Sequence, residues 1–160
     1  MKKLLACLLA LALALCLTAP AETEEKETRQ SGDYTYVILD DGTAEITKYD
    51  GYDKKLMIPS ELDGIPVTSI GYRAFYNCRS LTAVTIPGSV TSIGKSLFYD
   101  CSSLTAVTIP GSVTYIGSDA FAGCPDLLTL TVSRDSYALQ YCKENGIKYT
   151  YPDIYDWLNG

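Results

Sequence analysis

The chain has 160 residues, 47% of them hydrophobic, and its 19 acidic against 13 basic side chains give a net charge of −6. That length suits one domain with a core of its own, and the acidic balance would repel a nucleic acid or an anionic membrane surface. Histidine is absent, which removes Ser/His/Asp and Cys/His nucleophile pairs and any His-ligated zinc.

In chain order, Lys2 and Lys3 precede an uncharged apolar run over residues 4–17, and Ala19-Pro20-Ala21 follows. A positive start, a short apolar segment and a small-x-small end read as an export signal, residues 1–21, cleaved after Ala21. A membrane-crossing helix needs roughly 17–25 apolar residues, so the mature chain is expected to be secreted or cell-surface, with no transmembrane segment. Lipid attachment at Cys16 is the alternative, opposed by Leu15 where a small residue is required. Without Lys2 and Lys3 the chain keeps 11 basic and 19 acidic groups, a net charge of −8. Residues 22–31 hold no apolar side chain, and 22–32 reads as a flexible charged spacer that cannot bury enough surface to fold. Residues 34–39 and 44–49 flank Asp40-Asp41-Gly42, a hairpin signal placed to cap a fold beginning at about residue 33.

Self-similarity then takes over. Residues 81–103 read LTAVTIPGSVTSIGKSLFYDCSS and residues 104–126 read LTAVTIPGSVTYIGSDAFAGCPD, matching at 15 of 23 positions without a gap. A period of 23 lies within the ~20–29 residues of a leucine-rich-repeat coil. Ile70, Gly71, Phe75 and Cys78 precede Ile93, Gly94, Phe98 and Cys101 by the same 23. Ile58-Pro59 lies 28 residues before Ile86-Pro87, so the first coil carries an insertion at residues 61–66, with a turn at Asp63-Gly64. The expected coils are 52–80, 81–103, 104–126 and a degenerate 127–151, the last keeping Leu127, Leu130 and Val132.

Within a coil, Leu81, Val84 and Ile86, like Leu104, Val107 and Ile109, are the inward positions of a short parallel strand. Val90 with Ile93, and Val113 with Ile116, predict a second extended segment. Phe98 and Phe121 follow in an expected single helical turn. No coil buries its apolar face alone, so stacking supplies the partner. At the far end Ser136 is placed to cap a helix through Asn145, with Gly146 as its stop. Ala138, Tyr141 and Cys142 share its inner face, residues 147–151 form a last strand, and 152–160 is an aromatic tail. The fold class is α/β: a short solenoid of about three to four coils with parallel strands, an N-terminal hairpin cap and a C-terminal helix-strand cap.

The pattern Leu-x-x-Val-x-Ile-Pro-x-x-Val-x-x-Ile-Gly-x-x-x-Phe-x-x-Cys resembles the BspA-type leucine-rich repeat, the TpLRR class of bacterial surface and secreted proteins. LDGIPVTSIGYRAFYNC, residues 62–78, resembles its first coil, and SYALQYCKENGIKYTY its usual flank. The resemblance covers about residues 33–151. It implies an interaction role at a cell surface, often adhesion to host or neighbouring-cell proteins, and no catalytic residue.

Cys78, Cys101 and Cys124 occupy one phase of the coil, where a cysteine acts as a small apolar residue. Stacked parallel Cα–Cβ vectors disfavour the near-90° torsion of a disulfide, although four cysteines in an exported chain leave bridges as the alternative. Their wide spacing lacks the close pairs of zinc sites. The acids at 22–27 and Asp40-Asp41 read as solvated charge. No cofactor, metal or catalytic residue is expected.

The outward strand positions form the candidate protein-binding face. Threading the repeats gives three tracks: Lys54, Thr82, Thr105, Leu128; Lys55, Ala83, Ala106, Thr129; and Met57, Thr85, Thr108, Thr131. Trp157 in the tail is the further candidate. Threonine also suits any exposed strand position, so scaffold is the competing reading of this face. A structural or assembly role with self-association, or carbohydrate binding through exposed Tyr and Trp, are the competing functions.

Overall fold

The computed structural model describes residues 26–126 and 128–152. The expected export signal, Cys16 and Leu127 lie outside the described residues.

The chain opens with β1 (Thr28–Ser31), β2 (Tyr34–Ile38) and β3 (Ala44–Tyr49), paired antiparallel in that order. The first of these corrects the spacer reading for residues 28–31. Its side chains are polar, so hydrophobic periodicity could not mark it; it is held by backbone pairing, with Arg29 opposite Tyr36, and by Ser31 Oγ donating to Asp63 Oδ1 at 2.7 Å. The β2–β3 turn closes on Asp41, whose Oδ1 accepts from Thr43 N–H and Oγ1 at 2.9 and 2.6 Å.

Next come β4 (Lys55–Met57), β5 (Glu61–Leu62) and β6 (Ile65–Ile70). The inserted residues 61–66 make a small hairpin between β5 and β6. Asp63 and Gly64 both have positive φ, 51° and 79°, as a tight primed turn requires. Asp63 clips this hairpin to the N-terminal one by accepting from Ser31 and, at 2.8 Å, from the Tyr36 hydroxyl.

The two near-identical coils give β7 (Ala83–Thr85) and β8 (Ser92–Ile93), then β9 (Ala106–Ile109) and β10 (Tyr115–Ile116). The chain closes with β11 (Thr129–Val132), helix α1 (Tyr137–Asn145) and β12 (Lys148–Thr150). Two sheets result. One is parallel throughout, in the order β12-β11-β9-β7-β4; the other runs β1-β2-β3-β6-β8-β10, with β5 beside β6. The N-terminal hairpin therefore caps by extending a sheet, since β3 pairs in parallel with β6. The solenoid has about five turns, because β12 adds a rung beyond β11.

Leu81, Val84, Ile86, Val90, Ile93 and their counterparts 23 residues on are all buried. Between the sheets runs an aromatic column, Tyr49–Phe75–Phe98–Phe121–Tyr141, with ring centroids 5.0, 5.4, 5.6 and 6.2 Å apart. Ser136 caps α1 by accepting from Leu139 N–H, and Gly146 ends it at φ 64°. Ala138, Leu139 and Cys142 close the core beneath.

The helical turn expected before each cysteine is instead a run of linked turns. Arg73 and Asn77, Ser96 and Asp100, and Asp119 and Gly123 all have positive φ, and a left-handed residue every fourth position stops an α-helix. The N–H groups of Arg73, Phe75 and Asn77 donate across to the carbonyls of Lys95, Leu97 and Tyr99. The turns thus stack coil on coil, satisfying the backbone between neighbours rather than within one turn.

All four described cysteines are free thiols. Cys101 Sγ donates to Phe75 O at 3.1 Å and Cys124 Sγ to Phe98 O at 3.3 Å, each one coil back. Burial pushes Cys101 up to about 12 and Cys78, Cys124 and Cys142 up to about 11. It also raises Tyr34 and Tyr141 to about 12. An unfolded thiol ionises near 9 while the folded one stays neutral, so this stabilisation is complete below about pH 9 and lost as pH climbs through 11 to 12. With no histidine, thermal melts should be nearly flat between about pH 6 and 8 and drop above pH 9. A drop within the neutral range would contradict this burial of the thiols.

Candidate partner-binding face

The all-parallel sheet turns one face outward because its strands alternate. Leu56, Val84, Val107 and Leu130 point into the core, and their neighbours in sequence point away. Register aligns Lys55, Ala83, Ala106, Thr129 and Lys148 in one row, and Met57, Thr85, Thr108, Thr131 and Thr150 in a second. Four of the five members of each row follow from threading the repeats. Lys148 and Thr150 were missed because β12 follows the helix and has lost all likeness to the repeat. Their only signal is the alternation of Lys148-Tyr149-Thr150.

Four intervals of about 4.8 Å make the face about 19 Å long. It has lysines at both ends of one row, alanine and threonine between, and Met57 at one corner with 79% of its surface exposed. Small side chains leave the sheet flat, and no carboxylate stands in either row. The arrangement offers van der Waals contact and hydroxyl hydrogen bonds, with positive charge at its ends.

The track beginning at Lys54 behaves differently. Thr82 Oγ1 donates to Lys54 O at 2.7 Å, and Thr105 Oγ1 donates to Thr82 O at 3.3 Å. These hydroxyls tie each coil to the one before it. Leu128 corrects the outward assignment of that track: only 5% of it is exposed. The turn closed by Leu128 N–H on Pro125 O directs it towards α1, where it lines a hollow with Phe121, Tyr141 and Ile147. Trp157 lies outside the described residues.

A second exposed cluster sits on the stacked turns. The Arg73 guanidinium lies 5.0 Å from the ring centroids of both Tyr72 and Tyr76 and 6.0 Å from that of Tyr99. Tyr76 and Tyr99 stack on one another at 5.8 Å. Arg73 carries no signal in the sequence, since its place is taken by Ser96 and Asp119 in the next coils. Cation–π contact holds these rings, so a sugar would have to compete with Arg73 for them.

Among the described residues no three His, Cys, Asp or Glu side chains are grouped to hold a metal ion, and no helix is long and apolar enough to cross a membrane. Among curated proteins none matches the chain. A family model described as the BspA type leucine rich repeat region matches residues 52–148, in six copies. Of solved structures, a leucine rich cell surface protein from Faecalibacterium prausnitzii is 32% identical with a TM-score of 0.58, over 79% of this chain and 43% of that one. A leucine-rich repeat protein from Bacteroides capillosus is 30% identical with a TM-score of 0.51, over 66% of this chain and 98% of that one. Another, from Bacteroides ovatus, is 27% identical with a TM-score of 0.50, over 66% of this chain and 37% of that one. The chain thus spans less than half the length of the Faecalibacterium protein.

Proposed function

Because the chain belongs to the BspA-type leucine-rich-repeat family of bacterial proteins, we propose that it is an extracellular binding module that meets a protein partner on the five-stranded face. The observation that carries this reading is the register of that face: two rows aligned over five strands, with small or hydroxyl side chains on the three middle strands and Met57 and three lysines at the margins. Secretion through residues 1–21 and an adhesive role at a host or bacterial surface belong to the same proposal. The residues assigned to contact are Lys54, Lys55, Met57, Thr85, Thr108 and Thr131, with Thr82 and Thr105 mainly holding the coils together.

Size sets the affinity. A stable interface buries about 800 Å² on each partner, and a face this short offers less. Single-site binding is therefore weak, and display of several copies on one surface would strengthen it by avidity.

Thr85→Lys combined with Thr108→Glu tests the face. Both positions lie at its centre, opposite one another in register, where two long charged side chains in place of threonine hold a partner off the flat sheet and must be desolvated to be covered, yet surface substitutions change stability by only about 0.5 kcal/mol. Binding would be measured against arrayed bacterial-surface and matrix proteins, with melting curves run alongside. Loss of capture at an unchanged melting temperature supports the face; parental capture by the double variant makes it scaffold.

A further inference from the structure

We propose that the stacked turns carry a second protein-docking site, in which Arg73, held over Tyr72, Tyr76 and Tyr99, receives a carboxylate from an acidic segment of a partner protein. These turns run from β6 to β7 and from β8 to β9, so the site lies off the five-stranded face. The guanidinium meets the three rings by cation–π contact. Such contact engages the flat face of the group and leaves its in-plane N–H donors unused. Among the described residues Arg73 forms no ion pair, and its side chain donates no hydrogen bond. A planar fork with free donors is the group that grips a carboxylate at two points.

The site is fixed before a partner arrives. Arg73 N–H donates to Lys95 O at 3.2 Å, Tyr76 N–H to Arg73 O at 2.9 Å and Asn77 N–H to Tyr99 O at 2.8 Å. Tyr76 and Tyr99 stack ring on ring from one coil to the next. Yet Tyr72 and Tyr76 keep 59% and 45% of their surface exposed. These rings are ordered and still open to solvent, so packing into the core does not account for them. Tyrosine and arginine are enriched where protein interfaces concentrate their binding energy, and a rigid ring loses little entropy on contact.

Charge selects the partner. The chain as a whole is acidic, at −6, but this patch is not. Lys95 stands exposed one coil on from Tyr72, and Arg79 is held on the coil of Arg73 by its Nε donating to Asn77 Oδ1 at 2.8 Å. The neighbouring carboxylates are turned to other groups. Asp100 Oδ1 lies against Gly123 in the next coil, Glu45 accepts from Ser69 Oγ at 2.7 Å, and Asp50 pairs with Lys48 at 2.7 Å. An acidic segment is therefore drawn here and repelled elsewhere on the molecule, which orients it. A carboxylate needs only the edge of the guanidinium, whereas a sugar needs the ring faces that Arg73 already takes.

Protein-observed NMR reads binding this weak and maps it. The capped peptide Gly-Glu-Phe-Glu-Gly, titrated into the chain from residue 22 onward, should move the backbone amides of residues 72–76 and 99 along saturating curves. Its glutamine counterpart should bind about tenfold more weakly or worse, the usual effect of losing a charged hydrogen bond. Arg73→Asn should abolish the shifts without straining the turn, because Arg73 sits at φ 55° and asparagine tolerates left-handed backbone. Arg73→Lys keeps the charge but not the fork, and should weaken binding as well. The peptide comparison on the parent chain guards against loss of folding in either variant. Absence of shifts in the parent overturns the proposal, and so does equal binding of the two peptides. Unchanged binding by Arg73→Asn overturns it too, leaving only general attraction to the lysines. Trigalacturonate moving these amides where the peptide does not also overturns it, and makes the patch a site for acidic sugars.

Discussion

Phe98→Ala should cost about 3–5 kcal/mol of stability, the usual range for removing a buried aromatic ring. Phe98 has no exposed surface and sits in mid-column, 5.4 Å from Phe75 and 5.6 Å from Phe121. Truncation loses the transfer free energy of the ring and leaves a cavity. It also removes two aromatic contacts worth about 0.5–1.5 kcal/mol each beyond their area. The walls cannot collapse to fill the gap, because coil-to-coil bonds on both sides hold the spacing: Phe98 N–H donates to Ala120 O at 2.7 Å and Phe75 N–H to Leu97 O at 3.1 Å. Against a typical total of about 5–15 kcal/mol, that loss places the variant near its unfolding midpoint at modest temperature. Urea titrations would read it, and any fall in partner binding should follow the folded fraction. A midpoint within error of the parent would mean that the column is not the centre of the core.

The repeat made the core legible before any coordinates, because a solenoid turns sequence period into spatial stacking. Phe75, Phe98 and Phe121 are 23 residues apart and therefore lie one above another. Side-chain pattern also found the helix from its Ser136 cap and Gly146 stop, and a turn at Asp63-Gly64. It failed where structure is held by backbone alone. β1 has no apolar residue to show a period, and the linked turns depend on left-handed residues as dissimilar as Arg73, Ser96 and Asp119. On the candidate face, Met57, Thr85, Thr108 and Thr131 could be aligned because they sit in recognisable coils, whereas Lys148 and Thr150 could not. Leu128 was misplaced because threading extended a regular 23-residue spacing across the start of a degenerate coil. Partner identity is not encoded by a period at all, since outward positions are free of the packing constraint that keeps inward ones alike.

Gly94→Ala should destabilise the solenoid more than its single methyl group suggests, by about 1–3 kcal/mol or above, while Gly88→Ala should change it little. Gly71, Gly94 and Gly117 form a column at the 23-residue period. A Cβ on Gly94 would stand 2.5 Å from the carbonyl carbon of Gly71, 2.7 Å from its oxygen and 2.8 Å from Tyr72 N. Those neighbours are backbone, held by Gly94 N–H donating to Ile70 O and Gly71 N–H donating to Ile46 O, both at 2.7 Å. No flexible side chain is available to move aside, so the coils must separate and the ladder bonds beside the glycines must lengthen. In a fold whose units touch only their neighbours, a wedge in the middle also weakens the coupling between the two halves. The melt of Gly94→Ala should therefore broaden as well as shift. Gly88 lies in the Pro-Gly turn, where an added Cβ meets nothing within 4 Å, and alanine there restricts mainly the unfolded chain. The pair compares one methyl group at two glycines of the same coil, so composition and chain length cancel. Equal melting curves would show that the glycine column is not what sets the spacing between coils.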